Sequence, residues 1–403
     1  MTYDVAALRE HFPSLASGNA HFDGPGGTQT PRAVAEAVAA TLMGPLSNRG
    51  TVSDPERNAD AAVSAFRAAF ADFLGFPAHG IVYGRSATQL TYDMSRAIAK
   101  TWVLGDEVVV SRLDHDGNVR PWVQAAAAFG ATVRWIDLDP RTAELDLDSL
   151  HAAITPATRL VAITGASNLV GTVPPVRVVS DAAHAVGALV YLDAVHYAAH
   201  ELVDPVALGA DLIVCSPYKF LGPHCAVLGA DPALLERFWP DKLLPSTTAV
   251  PERYELGTLP YETLAGATAA VDFLAAIAPG DATTRREQLR NSFAAIDAHE
   301  LALRQRLEAG LAMLPGLVVH SRAARRTPTI LVSLPGRRTR AAYEFLAERD
   351  VLAPAGQFYA YEPYRRLGID DEGGLRLGLA PYSTADDVDR ALSGLAEFLA
   401  DRD

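Results

Sequence analysis

The sequence predicts an α/β fold built on a parallel sheet, and three observations carry that prediction. Short unbroken apolar runs, Leu189 to Leu192 and Leu212 to Cys215 among them, are bounded by turn residues, as in strands buried on both faces. Such runs alternate along the chain with amphipathic or alanine-rich helical stretches. The 403 residues, 49% hydrophobic and 21% charged, suffice for a large core and for two domains.

In order, residues 3–12 read as a short amphipathic helix. His21-Phe22-Asp23-Gly24-Pro25-Gly26-Gly27 is a glycine-rich turn leading into a helix over 32–43. An alanine-rich helix over 56–74 precedes a strand at 81–83, the turn Gly84-Arg85-Ser86-Ala87-Thr88-Gln89, and a helix ending at Lys100. A strand, a small-residue turn and a helix present free N–H groups and a positive dipole end to an anion. Ser and Thr there are equally ordinary N-caps. Strands follow at 106–110, leading to His115 and Asn118, at 133–138, and at 160–164, leading to Asn168; helices are expected at 147–153 and 175–187. After a strand at 225–228 and the turn Gly257-Thr258, helices over 261–277 and 282–313 are interrupted at Pro279-Gly280. Strands at 317–320 and 329–333 then alternate with helices at 339–348 and 385–400. The interruption divides the chain into an N-terminal segment 1–20 packing with the small domain, a large domain 21–278 and a small α/β domain 279–403.

In parallel sheets ligands sit outside the carboxyl ends of the strands. One apolar run ends on Asp193 and the next on Ser216-Pro217-Tyr218-Lys219, so a carboxylate and an amine share one rim. The pair suits pyridoxal phosphate. The amine holds the aldehyde as a Schiff base, and the carboxylate keeps the ring nitrogen protonated so that the ring accepts electrons. From spacing alone, an aspartate and a surface lysine closing neighbouring strands is as good a reading.

Asp193-Ala194-Val195-His196 and Ser216-Pro217-Tyr218-Lys219, with Leu221-Gly222-Pro223 after it, resemble segments of the class V aminotransferase family. These are fold-type I pyridoxal-phosphate enzymes and include the cysteine desulfurases and isopenicillin N epimerase. Matching motifs run from about residue 20 to 385. The resemblance implies a large domain with a mainly parallel seven-stranded sheet flanked by helices, and a smaller α/β C-terminal domain. It implies catalytic roles for Lys219, Asp193 and His115, the last stacked over the pyridine ring, with Asp114 in place of the family's glutamate. Ala87 and Thr88 bind the phosphate in this reading, with Ser86 and Gln89 replacing a glycine and a glutamate. Asn168 contacts the phenolic oxygen or the substrate carboxylate. His196 hydrogen-bonds the phenolic oxygen where desulfurases more often have glutamine; Tyr218 replaces the histidine before the lysine, and Ser216 belongs to the same cofactor segment. The segment His21 to Pro31 lines the substrate side. Arg376, in Gly374-Leu375-Arg376-Leu377-Gly378, clamps the substrate α-carboxylate, a bidentate geometry that lysine cannot reproduce. An internal ion pair is its other reading. Thr258 reaches the phosphate of a neighbouring subunit, which implies a homodimer with composite sites.

One departure bears on chemistry. Desulfurases carry a nucleophilic cysteine on the loop before the arginine strand, and here Tyr359 aligns with it, as a substrate-side residue. No cysteine follows Cys225, and Cys215 and Cys225 belong to strands around Lys219. Persulfide chemistry of the usual kind is therefore disfavoured. What remains is an L-amino acid held as an external aldimine that loses its α-proton to Lys219. The expected outcome is β-elimination, a C–S lyase reaction on a cysteine-derived substrate. Transamination, epimerisation, or desulfuration with an unusual sulfur acceptor stay open.

The formal charge of −13 and pI near 5.3 argue against nucleic acid as a partner. No apolar run is long enough to span a membrane, and the N-terminus lacks a signal-peptide core. Two cysteines fit a reducing cytosol, so a cytoplasmic enzyme is expected, with no metal. The arginines at 322, 325, 326, 337, 338 and 340 read as a solvated face.

Overall fold

The computed structural model describes residues 3–369 and 373–401. Its central sheet has seven strands in the order Ile81–Gly84, Ala226–Ala230, Leu212–Cys215, Leu189–Asp193, Thr158–Thr164, Glu107–Ser111, Thr132–Ile136. Ala226–Ala230 runs antiparallel to both neighbours, and the remaining pairings are parallel. Alternate residues of one strand enter opposite apolar layers. Val108, Val110 and Leu160 pack with Trp122 on one face, while Val109, Val161 and Ile163 join the other. Burial on both faces is what the unbroken apolar runs require.

Helices cover both faces and start where the local chemistry lets them. Ser53 and Glu56 form a capping box for Asp54–Leu74, and Thr284 and Glu287 one for Arg285–Ala312. Ser86 caps Ala87–Ala99 by accepting from Gln89 N at 3.1 Å.

A second, four-stranded sheet is antiparallel throughout, in the order Val318–Val319, Thr329–Ser333, Gly374–Gly378, Ala355–Gly356. The start of the chain lies on this side. Ala20–His21 pairs in parallel with Val351–Leu352, and Arg9 bridges to Asp387 at 3.2 Å. Gly378 N donates to Phe22 O at 2.8 Å, and a Cβ at Gly378 would meet Pro25 Cδ at 2.1 Å. A glycine is needed there for residues 22–25 to cross the strand that carries Arg376.

Several elements differ from the sequence expectation. The N-terminal helix is only Val5–Arg9 and gives way to a 3₁₀ turn at Pro13–Ser17, since Pro13 supplies no N–H to continue an α-helix. The strand expected over 133–138 stops at Ile136; Leu138–Asp139 instead pairs with Glu144–Leu145. The long helix begins at Arg285, with Thr284 as its cap, not at 282. Of the arginines expected as a solvated face, those at 322, 325, 338 and 340 are exposed, whereas Arg326 and Arg337 are half-buried. Arg326 is largely enclosed against Glu308, Arg325 meets Glu201, and Arg337 donates to Phe398 O.

Candidate active site

The carboxyl ends of the central strands, the start of helix Ala87–Ala99 and returns from the second sheet enclose a cavity of about 330 Å³. Lys219 enters from a 3₁₀ turn just beyond Leu212–Cys215 and is 8% exposed. Its Nζ donates to Pro25 O and lies 4.8 Å from the Tyr218 ring centroid. Burial, helped by Arg376, pushes the amine down to about 7 against the opposing pull of Asp23 and Asp193. Asp193, last in its strand and also 8% exposed, accepts from Val195 N at 2.9 Å. Burial pushes its carboxyl up to about 6, while Val195 N and Lys219 favour the ionised form.

His115 Nδ1 accepts from Gly117 N at 2.9 Å, which places the ring proton on Nε2. Burial and then Lys219 lower His115 to about 4, so the ring is neutral at physiological pH. A Cβ at Gly117 would lie 2.9 Å from His115 Nδ1 and 3.0 Å from Thr88 Oγ1, so glycine lets these two walls meet. Asp114 stands behind. It takes the Ser111 hydroxyl and Asn118 Nδ2 (2.7 Å), burial pushes it up to about 8, and Asn118 in turn accepts from Trp122 Nε1 at 3.3 Å. The Asn118 to Trp122 stretch thus shapes the wall and does not reach the cavity.

The remaining expected residues fall into place around that core. Ala87 and Thr88 line the cavity in the open first turn of their helix, beside Ser86. Asn168, His196, Ser216 and Tyr218 line it too. Tyr359 sits at the mouth, 80% exposed, with its ring 5.8 Å from His115. Thr258 is the exception: it is exposed and does not line this cavity.

Arg376 makes the internal ion pair the sequence allowed, and it does so at the cavity wall. It lines the cavity, yet its Nη2 donates to Asp23 Oδ1 at 2.6 Å and its Nη1 to Asn168 O at 3.0 Å. The Phe358 ring lies 3.7 Å from its guanidinium carbon. Phe358 and Tyr359 both have φ of +55°, a left-handed region costly for large side chains. Two hydrogen bonds from across the cavity hold them: Asn168 Nδ2 to Phe358 O at 2.9 Å and Asp116 N to Tyr359 O at 2.8 Å.

Sequence reasoning missed the individual parts played by Asp23, Pro25 O and Phe358. It also missed Thr327 and Thr329, which bond His196 from behind at 2.9 and 3.1 Å. The glycine-rich turn marked the Asp23 segment, but nothing local in the sequence marks the threonines.

The cavity residues fit pyridoxal phosphate. A carboxylate and a primary amine face one space, and an open helix start offers N–H groups to a phosphate. His196 Nδ1, Asn168 Oδ1 and Arg376 Nε are buried and unpartnered in the protein, as expected of groups whose partner is a ligand.

The Aminotransferase class-V family model matches residues 20–391. An uncharacterized protein of Mycobacterium tuberculosis, MT3887, is 32% identical over 400 residues, covering 99% of this chain and 100% of that one. A probable cysteine desulfurase 2 of Mycobacterium leprae is 29% identical over 426 residues, covering 98% of this chain and 97% of its own. The crystal structure of the cysteine desulfurase CsdA from Escherichia coli matches with a TM-score of 0.86 at 25% identity, covering 98% of each chain. With the cavity built as described, the chain belongs to the class V aminotransferase family and is a pyridoxal-phosphate-dependent enzyme with cysteine desulfurase-like relatives.

Proposed function

We propose that the enzyme cleaves a C–S bond by β-elimination from a cysteine-derived L-amino acid. The observation that carries this is a cavity that brings together an amine, a carboxylate and Arg376 but has no thiol among its lining residues. Cys215 and Cys225 are 0% and 1% exposed, and burial raises both thiols, Cys225 to about 12. A thiol so held is a poor nucleophile, which disfavours a persulfide.

When bound, pyridoxal phosphate supplies an electron sink for the pair left at the substrate's α-carbon. The chain does the rest. Arg376 binds the substrate carboxylate by sharing with it, or giving up to it, the guanidinium N–H groups that now meet Asp23, and so orients the α-carbon. Lys219, a half-deprotonated amine near neutrality, removes the α-proton. Asp193 would accept a hydrogen bond from the protonated ring nitrogen of the cofactor and keep it charged. Phe358 covers the guanidinium of Arg376, and Tyr359 stands at the mouth, where the departing sulfur leaves. Ala87, Thr88 and the helix start would hold the phosphate.

We also propose a homodimer. Thr258 lies next to exposed Leu256 and outside its own cavity, as suits a residue that completes the partner's phosphate site. The Pro279-Gly280 connection is the proposed division between large and small domains.

The test is a screen of the purified holoenzyme against S-substituted cysteines and plain amino acids, assaying pyruvate, ammonia and sulfide or thiol. Pyruvate and thiol in equal amounts support elimination. Transfer of the amino group to a keto acid, or inversion at the α-carbon, without pyruvate overturns it.

A further inference from the structure

His196 is held from behind by two buried hydroxyls. Its Nε2 lies 2.9 Å from Thr327 Oγ1 and 3.1 Å from Thr329 Oγ1. Its other ring nitrogen, Nδ1, is buried without a partner, and the ring lines the cavity. A neutral imidazole carries one N–H, and the nitrogen that carries it follows from the protons around the ring.

Each hydroxyl has one proton to donate. Thr327 has an alternative acceptor in Gly171 O at 3.4 Å. Among the described residues, the side-chain hydroxyl of Thr329 meets only His196 Nε2. With the ring proton on Nε2, the fully buried Thr329 hydroxyl would have nowhere to donate. With it on Nδ1, both hydroxyl protons find acceptors, which is the general rule for buried polar groups.

We propose that Thr327 and Thr329 fix His196 as the Nδ1–H tautomer, so that the chain turns a hydrogen-bond donor toward the anionic ring oxygen of pyridoxal phosphate. The threonines are positioning residues that act through His196, and the inference rests on the cofactor reading above. A doubly protonated ring is disfavoured by burial, by His200 whose ring centroid lies 4.9 Å away, and by Lys219 and Arg376. The tautomer is thus the open variable. A bare Nδ1 lone pair would repel an anionic oxygen, whereas Nδ1–H stabilises it.

The tautomer can be read directly. A two-dimensional nitrogen–proton correlation spectrum of cofactor-free protein with isotope-labelled histidine reports which ring nitrogen is protonated, and His196→Gln identifies the signal. The expected pattern is Nδ1-protonated in the native protein and in Thr329→Ser, which keeps the hydroxyl. The Thr327→Val/Thr329→Val variant should shift toward the other tautomer. In the holoenzyme that variant should lose about tenfold in cofactor affinity, the loss of roughly one charge-assisted hydrogen bond, with Thr329→Ser near native. An Nε2-protonated native ring overturns the proposal whatever the variants do. An unchanged pattern in the folded valine variant, or in Thr329→Val should the double variant not fold, removes the threonines' role. Because the spectrum needs no cofactor, these failures are separate from a protein that takes up no pyridoxal phosphate.

Discussion

Arg376 and Asp23, 353 residues apart in sequence, meet through a 2.6 Å hydrogen bond, with side chains 3% and 47% exposed. The proposed carboxylate clamp therefore already holds a carboxylate of the chain itself. An incoming substrate must share the guanidinium with Asp23 or displace it.

Two variants separate these contributions. Arg376→Ala should weaken binding of a carboxylate-bearing amino acid by about 2–5 kcal/mol while affecting cofactor affinity less. Asp23→Asn should change substrate affinity in the opposite direction, by less than about 1 kcal/mol because Asp23 is half exposed. Spectral titration of the holoenzyme with amino acids measures both. Equal weakening by the two variants would show the pair to be structural.

The second prediction concerns pH. Lys219 is lowered from the ordinary lysine range to about 7, so its free amine is scarce below that pH and predominates above it. The rate of pyridoxal phosphate uptake by the cofactor-free protein should rise up to about pH 7 and then level off. A lysine open to solvent would give a rate climbing toward pH 10. Stopped-flow absorbance distinguishes these curves, and borohydride reduction followed by peptide mapping should place the cofactor on Lys219. A continued climb above pH 9, or labelling of another lysine, contradicts the assignment.

Third, the thiols should be dispensable. Cys215 and Cys225 sit in or beside adjacent strands of the central sheet and do not line the cavity. Cys215→Ala/Cys225→Ala should keep most of its turnover with the true substrate, at a stability cost on the order of 1 kcal/mol per site. Loss of turnover with cofactor binding intact, together with a protein persulfide in the native enzyme, would make this a desulfurase with a relocated nucleophile.

Fourth, sedimentation should give a dimer. Thr258→Ala should then weaken cofactor binding by about 1 kcal/mol, one phosphate hydrogen bond, although Thr258 lies outside its own chain's cavity. A fully active monomer removes the composite-site reading.

What the sequence determined by itself was the frame and the rim. Strand Leu189–Asp193 was legible because an apolar run buried on both faces needs no partner to be identified, and Asp193 and Lys219 followed as its rim because parallel strands end on one side. The helix after this turn was legible for a similar local reason, although it begins at Ala87, capped by Ser86, inside the stretch expected as turn through Gln89.

Tertiary structure alone decided which partners those residues meet. Asp23 reaches Arg376 because residues 22–25 cross the strand at Gly378, a contact that depends on packing between the chain start and the second sheet. Thr327 and Thr329 reach His196 across 131 and 133 residues. The left-handed turn at Phe358 and Tyr359 is imposed by hydrogen bonds from Asn168 and Asp116, since neither residue favours it. Periodicity and capping are properties of neighbouring residues and can be read along the chain. Ion pairs, tautomers and strained turns are set by the register and layering of distant segments, and those exist only once the fold is formed.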